Sequence, residues 1–443
     1  MGEKAPRCWY PILMIILCIK LVLQAAISFR AAPKAIHIAF SQFDAVKNQV
    51  IPSHKTISRW LTQIGLYKLN CPKQQANDWA LIVDNSIQIG PHKLLVILGV
   101  RLSKLQGKAL TFDDMEPLVM ELHIRSNEKT VCKALEKAQN KVGKVATICA
   151  DDGSDLRGGI ALFCKKYKID RVFDITHKIG TFLKKIFKKD LEWQAFASAA
   201  AEAKKKMQQT QAAHLAPPNQ RTKSRFLNIE ILVHWGVDII EALNDPSHPD
   251  KVLLEEYCGW IHRYKPLIER LKQIASIGQN VRQHVREYGI HKTTGDQVDA
   301  LLEKVMEPYE HNSQACQYAG MVIDFLHEQS KVVPLGQIWI GSSEIIESLF
   351  GKLKSLEQDQ SKGGFTSLVL GAAACVGKVD VDVVKAAMDQ IRTADVDEWT
   401  KEQLGPTLLS KRRKALGSWR KNNLSKDIGC ELAGIILGEA VGF

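Results

Sequence analysis

Two apolar runs in this chain each end in a carboxylate, and that pattern limits the fold more than any other feature. Trp79-Ala-Leu-Ile-Val-Asp84 and Lys144-Val-Ala-Thr-Ile-Cys-Ala-Asp151 are short, continuous and bounded by polar residues, which predicts buried strands. Lys93-Leu-Leu-Val-Ile-Leu-Gly-Val100 follows the first run after a turn at Gly90-Pro91 and reads as its hairpin partner. Leu118 to Ile124 is a third strand, Thr130 to Lys141 a helix, Leu156 to Lys168 another helix, and Arg171 to Ile175 a fifth short strand. The order is three strands, helix, strand, helix, strand.

The rest of the chain reads as helical, and four regions separate. Residues 1–75 are a helical N-terminal region, 76–177 the α/β part, 178–335 a helical stretch without strand pattern, and 336–443 a last part with a basic tail. In the first region Ile36, Ile38, Phe40 and Phe43 give one short apolar face. Ser53 is the expected N-cap of a second helix with Ile57, Trp60 and Leu61 on one side and Gly65 as its stop. Two short helices, the second carrying Lys55 and Arg59 near its start, resemble a helix-turn-helix DNA reader. The run from Trp9 to Phe29 could be a buried helix or a membrane segment. Lys20, Gln24 and Ser28 interrupt it, and a lysine at a bilayer centre costs roughly 2.5–3.5 kcal/mol, which favours the buried helix.

The formal charge of +12 over 443 residues gives a positive field that attracts polyanions, nucleic acid first. Lys178, Lys184, Lys185, Lys188 and Lys189, Lys204 to Lys206, and Arg221, Lys223 and Arg225 concentrate that charge, as does Lys411-Arg412-Arg413-Lys414. Ten cysteines show no CxxC spacing, so zinc and disulfide frameworks are not indicated. Trp193, Trp235 and Trp260 read as core anchors of the helical stretch, although an aromatic ring can also stack on an unpaired base.

Carboxylates at strand ends suit one chemistry in particular. Cutting and rejoining phosphodiesters needs an activated oxygen and a stabilised leaving oxygen, which two metal ions roughly 3.5–4 Å apart can supply. Magnesium takes hard oxygen ligands, so a site of Asp and Glu fits. Asp84 and Asp151 are candidates on that ground. A third acid comes from Ser343-Glu-Ile-Ile-Glu-Ser-Leu-Phe-Gly-Lys-Leu-Lys354, where Glu344 and Glu347 share a helix face and Ile346, Leu349, Phe350 and Leu353 form the apolar stripe.

These blocks resemble the DDE transposases of bacterial insertion sequences, which share a ribonuclease-H-like fold with retroviral integrases. Ala150-Asp-Asp-Gly-Ser-Asp155 is similar to the family's Asp-x-Gly-Ser block, and Ile346-Glu-Ser-Leu-Phe-Gly-Lys-Leu-Lys354 to its Ile-Glu-x-x-Phe-x-x-Leu-Lys helix. The resemblance implies a ribonuclease-H-like mixed sheet with the first and fourth strands adjacent, a large all-helical insertion, and a preceding helical DNA-binding region. It implies Asp84, Asp151 and Glu347 as the catalytic, metal-holding triad and two magnesium ions, with manganese as a substitute. It gives Lys354 a DNA contact. Asp174-Ile-Thr-His177 resembles the family's Asp/Cys-x-x-His element, which implies His177 near the scissile phosphate. The 196 positions between Asp151 and Glu347 match members with a helical insertion. Ile340 and Ser343 stand where one subgroup has Tyr and Arg.

The partners implied are double-stranded DNA, as terminal repeats and target, and a second copy of the chain during synapsis. The implied location is the bacterial cytoplasm, at the nucleoid and away from membrane. Three other readings compete: a ribonuclease-H-like nuclease that cuts without joining, a non-catalytic DNA-binding regulator, and a membrane-anchored protein resting on residues 9–29 alone.

Overall fold

Alternation along the strands decides how the sheet is covered. The computed structural model describes residues 2–44, 46–89, 92–105, 109–123, 127–220, 226, 229–309, 312–358 and 365–417. The Gly90-Pro91 turn, Ile124, the cluster Arg221, Lys223 and Arg225, and the end of the tail from 418 lie outside the described residues. Strands β1 (Ala76–Ile89), β2 (His92–Arg101), β3 (Glu116–His123), β4 (Gly143–Ala150) and β5 (Asp170–Phe173) form one sheet ordered β3-β2-β1-β4-β5. β1 pairs antiparallel with β2 and parallel with β4, so the sheet is mixed. The parallel pairing needs a crossover, which helix α4 (Glu128–Val142) provides.

Every second residue points to the same side. Leu81, Val83, Leu95 and Ile97 pack with Leu135 of α4 and with Ile160 and Phe163 of α5 (Ser154–Tyr167). Ala80, Ile82, Leu94, Val96 and Leu98 face the other way, into a core that includes Ile346, Leu349 and Leu353 of a later helix. Each fully buried Val, Leu or Ile contributes roughly 1.5–3 kcal/mol, so slipping β1 by one residue would exchange the two faces at great cost.

The N-terminal region joins this second core. Helix α1 (Ile12–Leu23) buries Ile12, Ile15, Cys18 and Ile19, and Lys20 is exposed. Among the described residues no helix is long and apolar enough to cross a membrane. Helix α2 (Ala31–Ser41) buries Ala32 and Ile36, but Ile38 and Phe43, expected on its packed face, are 66% and 62% exposed. Helix α3 (His54–Asn70) starts at Ser53, whose Oγ accepts from the Thr56 N–H at 3.2 Å.

Gly65 does not stop α3, which continues for five residues to Asn70. Instead, a Cβ at Gly65 would overlap the carbonyl of Leu370, so the glycine lets another helix approach closely. From Trp60 on, α3 is buried nearly all round, against β3 and the C-terminal helices α14 (Leu370–Cys375), α15 (Val381–Gln390) and α16 (Thr393–Gln403). Lys68 locks this arrangement: its Nζ donates to the carbonyls of Ala374, Val376 and Gly377 at 3.0, 2.8 and 2.9 Å. A helix buried in this way cannot lie lengthwise in a DNA groove; Lys55 and Arg59, on its first turns, are exposed.

After β5 the chain is helical: α6 (Ile175–Phe187), α7 (Leu191–Met207), α8 (Ile229–Asn244), α9 (Lys251–Cys258), α10 (Lys265–Tyr288), α11 (Thr294–Met306) and α12 (Ser313–Lys331). Trp193 is 1% exposed and sits among Phe187, Phe196 and Phe226, while Trp235 and Trp260 stack at 6.2 Å, half-buried. Helix α13 (Glu344–Gln358) then returns to the sheet and touches β1. The described cysteines are free thiols.

Candidate active site

The register of β1 on β4 brings the first two acids together. Parallel pairing runs from Ala76↔Gly143 to Val83↔Ala150 and stops there. The next residues on the two strands are Asp84 and Asp151, so the carboxylates emerge side by side where the ladder ends. β1 itself does not end at Asp84, as its sequence suggested, but runs on beside β2 to Ile89. Asp84 is therefore held in mid-strand, opposite Val96, and shares its parity with Ala80 and Ile82. Its side chain belongs to the face that α13 covers.

Each acid is held locally. The Asn85 N–H donates to Asp84 Oδ1 at 2.7 Å, and the Gly153 N–H donates to Asp151 Oδ1 at 3.0 Å. Asp152, next in the loop, takes an ion pair from Arg171 at 3.1 Å, and the Arg171 guanidinium lies 3.7 Å from the Phe173 ring centroid. The Asp-Asp sequence thus splits its duties: Asp152 ties the loop to β5, and Asp151 is left beside Asp84.

Glu347 reaches the same place from α13. Its carboxylate is 3.0 Å from His177 Nε2, one turn into α6. That hydrogen bond pushes the His177 imidazole up to about 9 against the cost of burial, so it is protonated at neutral pH and donates to Glu347. Asp84 is pushed up to about 7, by burial first and then by the charge of Asp151, with Glu347 adding to it and His177 opposing it. Asp84 thus feels the charges of Asp151, Glu347 and His177 alike.

Asp174 explains why α6 and α13 meet there. It is 1% exposed and caps α6 by accepting the His177 N–H at 2.8 Å on Oδ1. Its other oxygen accepts both the N–H and the Oγ–H of Ser343, at the start of α13. The backbone adds two more ties, from Asp174 N–H to Ala150 and from Ile175 N–H to Gly341, at 3.0 and 2.9 Å. One buried carboxylate thus fixes two helix starts against the end of β4. The Asp-x-x-His element was visible in the sequence; the capping role of Asp174 and its link to Ser343, 169 positions away, were not. Ser343 and Ile340, the departures from the subgroup pattern, are both buried, one bonded to Asp174 and the other 5% exposed and apolar.

Of the residues expected to act together, Asp84, Asp151, Glu347 and His177 converge. Lys354 lies two turns beyond Glu347 on α13, exposed, and Lys55 and Arg59 are exposed on the first turns of α3. Glu344 does not join the group; it accepts from Thr176 Oγ1 at 3.1 Å and lines a cavity of about 320 Å³ with Phe112, Tyr288 and Trp339.

As the side chains stand, no three Asp, Glu, His or Cys residues among those described are close enough to hold a metal ion. One oxygen of each acid is engaged elsewhere, Glu347 by His177, Asp84 by Asn85 and Asp151 by Gly153. The donor set nevertheless suits a hard divalent cation: Asp84 resists ionisation because of burial and a like charge, and a cation between the carboxylates relieves both.

No family model matches this chain, and no curated protein matches it. Among solved structures it is similar to a chain of the Drosophila P element transposase strand transfer complex, with a TM-score of 0.39 and 12% identity, over 87% of this chain and 93% of that one. At that score the likeness carries no functional weight, and the case for function rests on the chain's own residues.

Proposed function

We propose that this chain is a DDE-type DNA transposase with a ribonuclease-H-like catalytic sheet, which cuts DNA at the ends of its element and joins them to a target. The observation that supports the reading is the register that ends at Val83↔Ala150, immediately before Asp84 and Asp151, with Glu347 on α13, the helix that touches β1. Asp84, Asp151 and Glu347 would hold two divalent cations, magnesium or manganese. When bound, the ions activate the attacking oxygen and stabilise the leaving oxygen of an in-line displacement.

The protein's own share is positioning. Pairing with β2 fixes Asp84, the end of β4 and the Gly153 N–H position Asp151, and the Asp174 cap joins α6 to the start of α13, which carries Glu347. His177, protonated at neutral pH, donates to Glu347 and could donate to a phosphate oxygen in its place. Lys354, Lys55 and Arg59 would contact DNA phosphates, and the surplus of 12 positive charges favours that polyanion. Two copies of the chain would be needed to bring two ends together.

The test is cleavage of a labelled duplex carrying the DNA that flanks the gene, with magnesium or manganese. Nicking and joining are expected for the wild type. Asp84→Ala and Glu347→Ala should each lower the rate at least about a hundredfold with folding intact. Cleavage without joining would make the protein a nuclease, and binding without cleavage in either metal a regulator. Cleavage that survives either substitution would put the active site elsewhere.

A further inference from the structure

A second cavity, remote in sequence from the four converging residues, carries a different chemistry. It has a volume of about 410 Å³ and is lined by Arg7, Arg59 and Arg392 together with the rings of Trp9, Tyr10 and Trp60. The N-terminal segment before α1, the first turns of α3 and the junction of α15 with α16 enclose it. Tyr10 and Trp60 meet edge-on at 5.1 Å and form a fixed aromatic wall. Trp9 is 87% exposed at the cavity rim, so its ring face is open to a planar partner.

The charges around the cavity are unevenly matched. Arg7 pairs with Asp389 at 3.8 Å, and Arg392 with Asp395 at 3.2 Å. Arg59 has no ion-pair partner among the described residues, and Lys4 brings a further cation to 5.9 Å from the Trp9 ring centroid. Arg7 holds a left-handed backbone, φ 54°, rare for a residue with a side chain. Its guanidinium donates to the Asp389 carbonyl, which keeps that conformation and aims the side chain along the cavity wall.

We propose that this cavity binds an unpaired stretch of DNA, with a base stacked on Trp9 and phosphates on Arg59 and Arg392; the proposal rests on the DNA-processing function above. Guanidinium groups match phosphate oxygens in geometry and charge. A base offers its face to a ring only when it is not stacked within a duplex, and a cavity bounded by rings has no fit to a paired helix. Asp389 and Asp395 hold their arginines between visits, and the uncommitted Arg59 provides the first contact.

The experiment measures binding of a short labelled single strand, and of the same sequence as duplex, to the full chain without divalent metal across a salt series. The wild type is expected to bind the single strand. Trp9→Ala should weaken it about tenfold or more, and Arg59→Ala should flatten the dependence of log K on log salt by about 0.7. Trp9 and Arg59 are exposed, so both variants should fold. Leu13→Ala, at a 64% exposed position on α1, should change neither. Single-strand binding that ignores both substitutions overturns the proposal while leaving duplex cleavage and its acids intact. A wild type that binds no DNA in either form overturns this proposal and the transposase reading together.

Discussion

In the sheet, the buried side chains are aliphatic apart from Trp79, and two acids follow the end of one ladder; between α6 and α12 an aliphatic core is joined by a cluster of aromatic rings, and charged side chains pair between helices. Trp193, Phe187, Phe196 and Phe226 form one ring cluster in the helical region, and the ion pairs of Arg282 with Glu230 and Arg270 with Glu192 tie helices together. The reason lies in backbone geometry. Paired strands fix residue directions to within one step of the register, so two acids that follow matched apolar residues must emerge together. A helix spreads successive side chains around its axis, and like charges there find solvent or a partner. The sheet supplies Asp84 and the approach to Asp151, and the starts of α6 and α13 supply His177 and Glu347.

The sharpest way to break this comparison is Trp193→Ala. Removing a fully buried Trp should cost about 3–5 kcal/mol, with amide exchange accelerated in α7 to α10 and protection kept in β1 and β4. Equal loss of protection in the strands would mean that the two regions unfold as one unit.

Lys68 tests the sheet side, because it ties α3 to residues 374–377. Lys68→Met leaves three carbonyls without their donor and should cost about 2 kcal/mol or more at neutral pH. Burial holds the Lys68 ammonium down to about 8 from the ordinary 10.5. Below pH 8 the folded and unfolded chains both carry the proton, and the folded chain bears the desolvation cost. Between about 8 and 10.5 the unfolded chain binds more protons, so this group's contribution to stability rises with pH. Denaturant melts across that window should show a smaller rise for the variant than for the wild type.

Asp174→Asn probes the connection between the two regions. The amide can still accept from His177, but its NH₂ meets the Ser343 N–H, donor against donor. Cleavage should fall roughly ten- to a hundredfold, as for groups that orient metal-holding residues, with a stability loss of about 1–3 kcal/mol. An unchanged rate would show that α13 reaches the sheet without that cap. At the small end, Ile38→Ser on the exposed side of α2 should move stability by no more than about 0.5 kcal/mol.

Much of the sheet could be read directly. The five strands and the helices α4 and α5 lie where apolar runs and periodicity put them, within a few residues, because each is decided by neighbours in sequence. The stripe Ile346, Leu349, Phe350 and Leu353 is buried as its spacing predicts. The helical unit at the N-terminus was less legible: Ser53 caps α3, but Gly65 and the exposed Ile38 and Phe43 take their meaning from α14 and from solvent, which no local pattern records.

The sequence by itself determined which residues can be strands, which acids stand near their ends, and that the chain is basic. Only the tertiary structure decided that β1 runs past Asp84, that Asp152 serves Arg171, that Asp174 joins α6 to Ser343, and that Arg7, Arg59 and Arg392 line one cavity. The physical reason is range. Propensity and alternation act over a few residues, whereas register, burial and charge pairing depend on partners tens to hundreds of positions away, and those are chosen when the whole core closes.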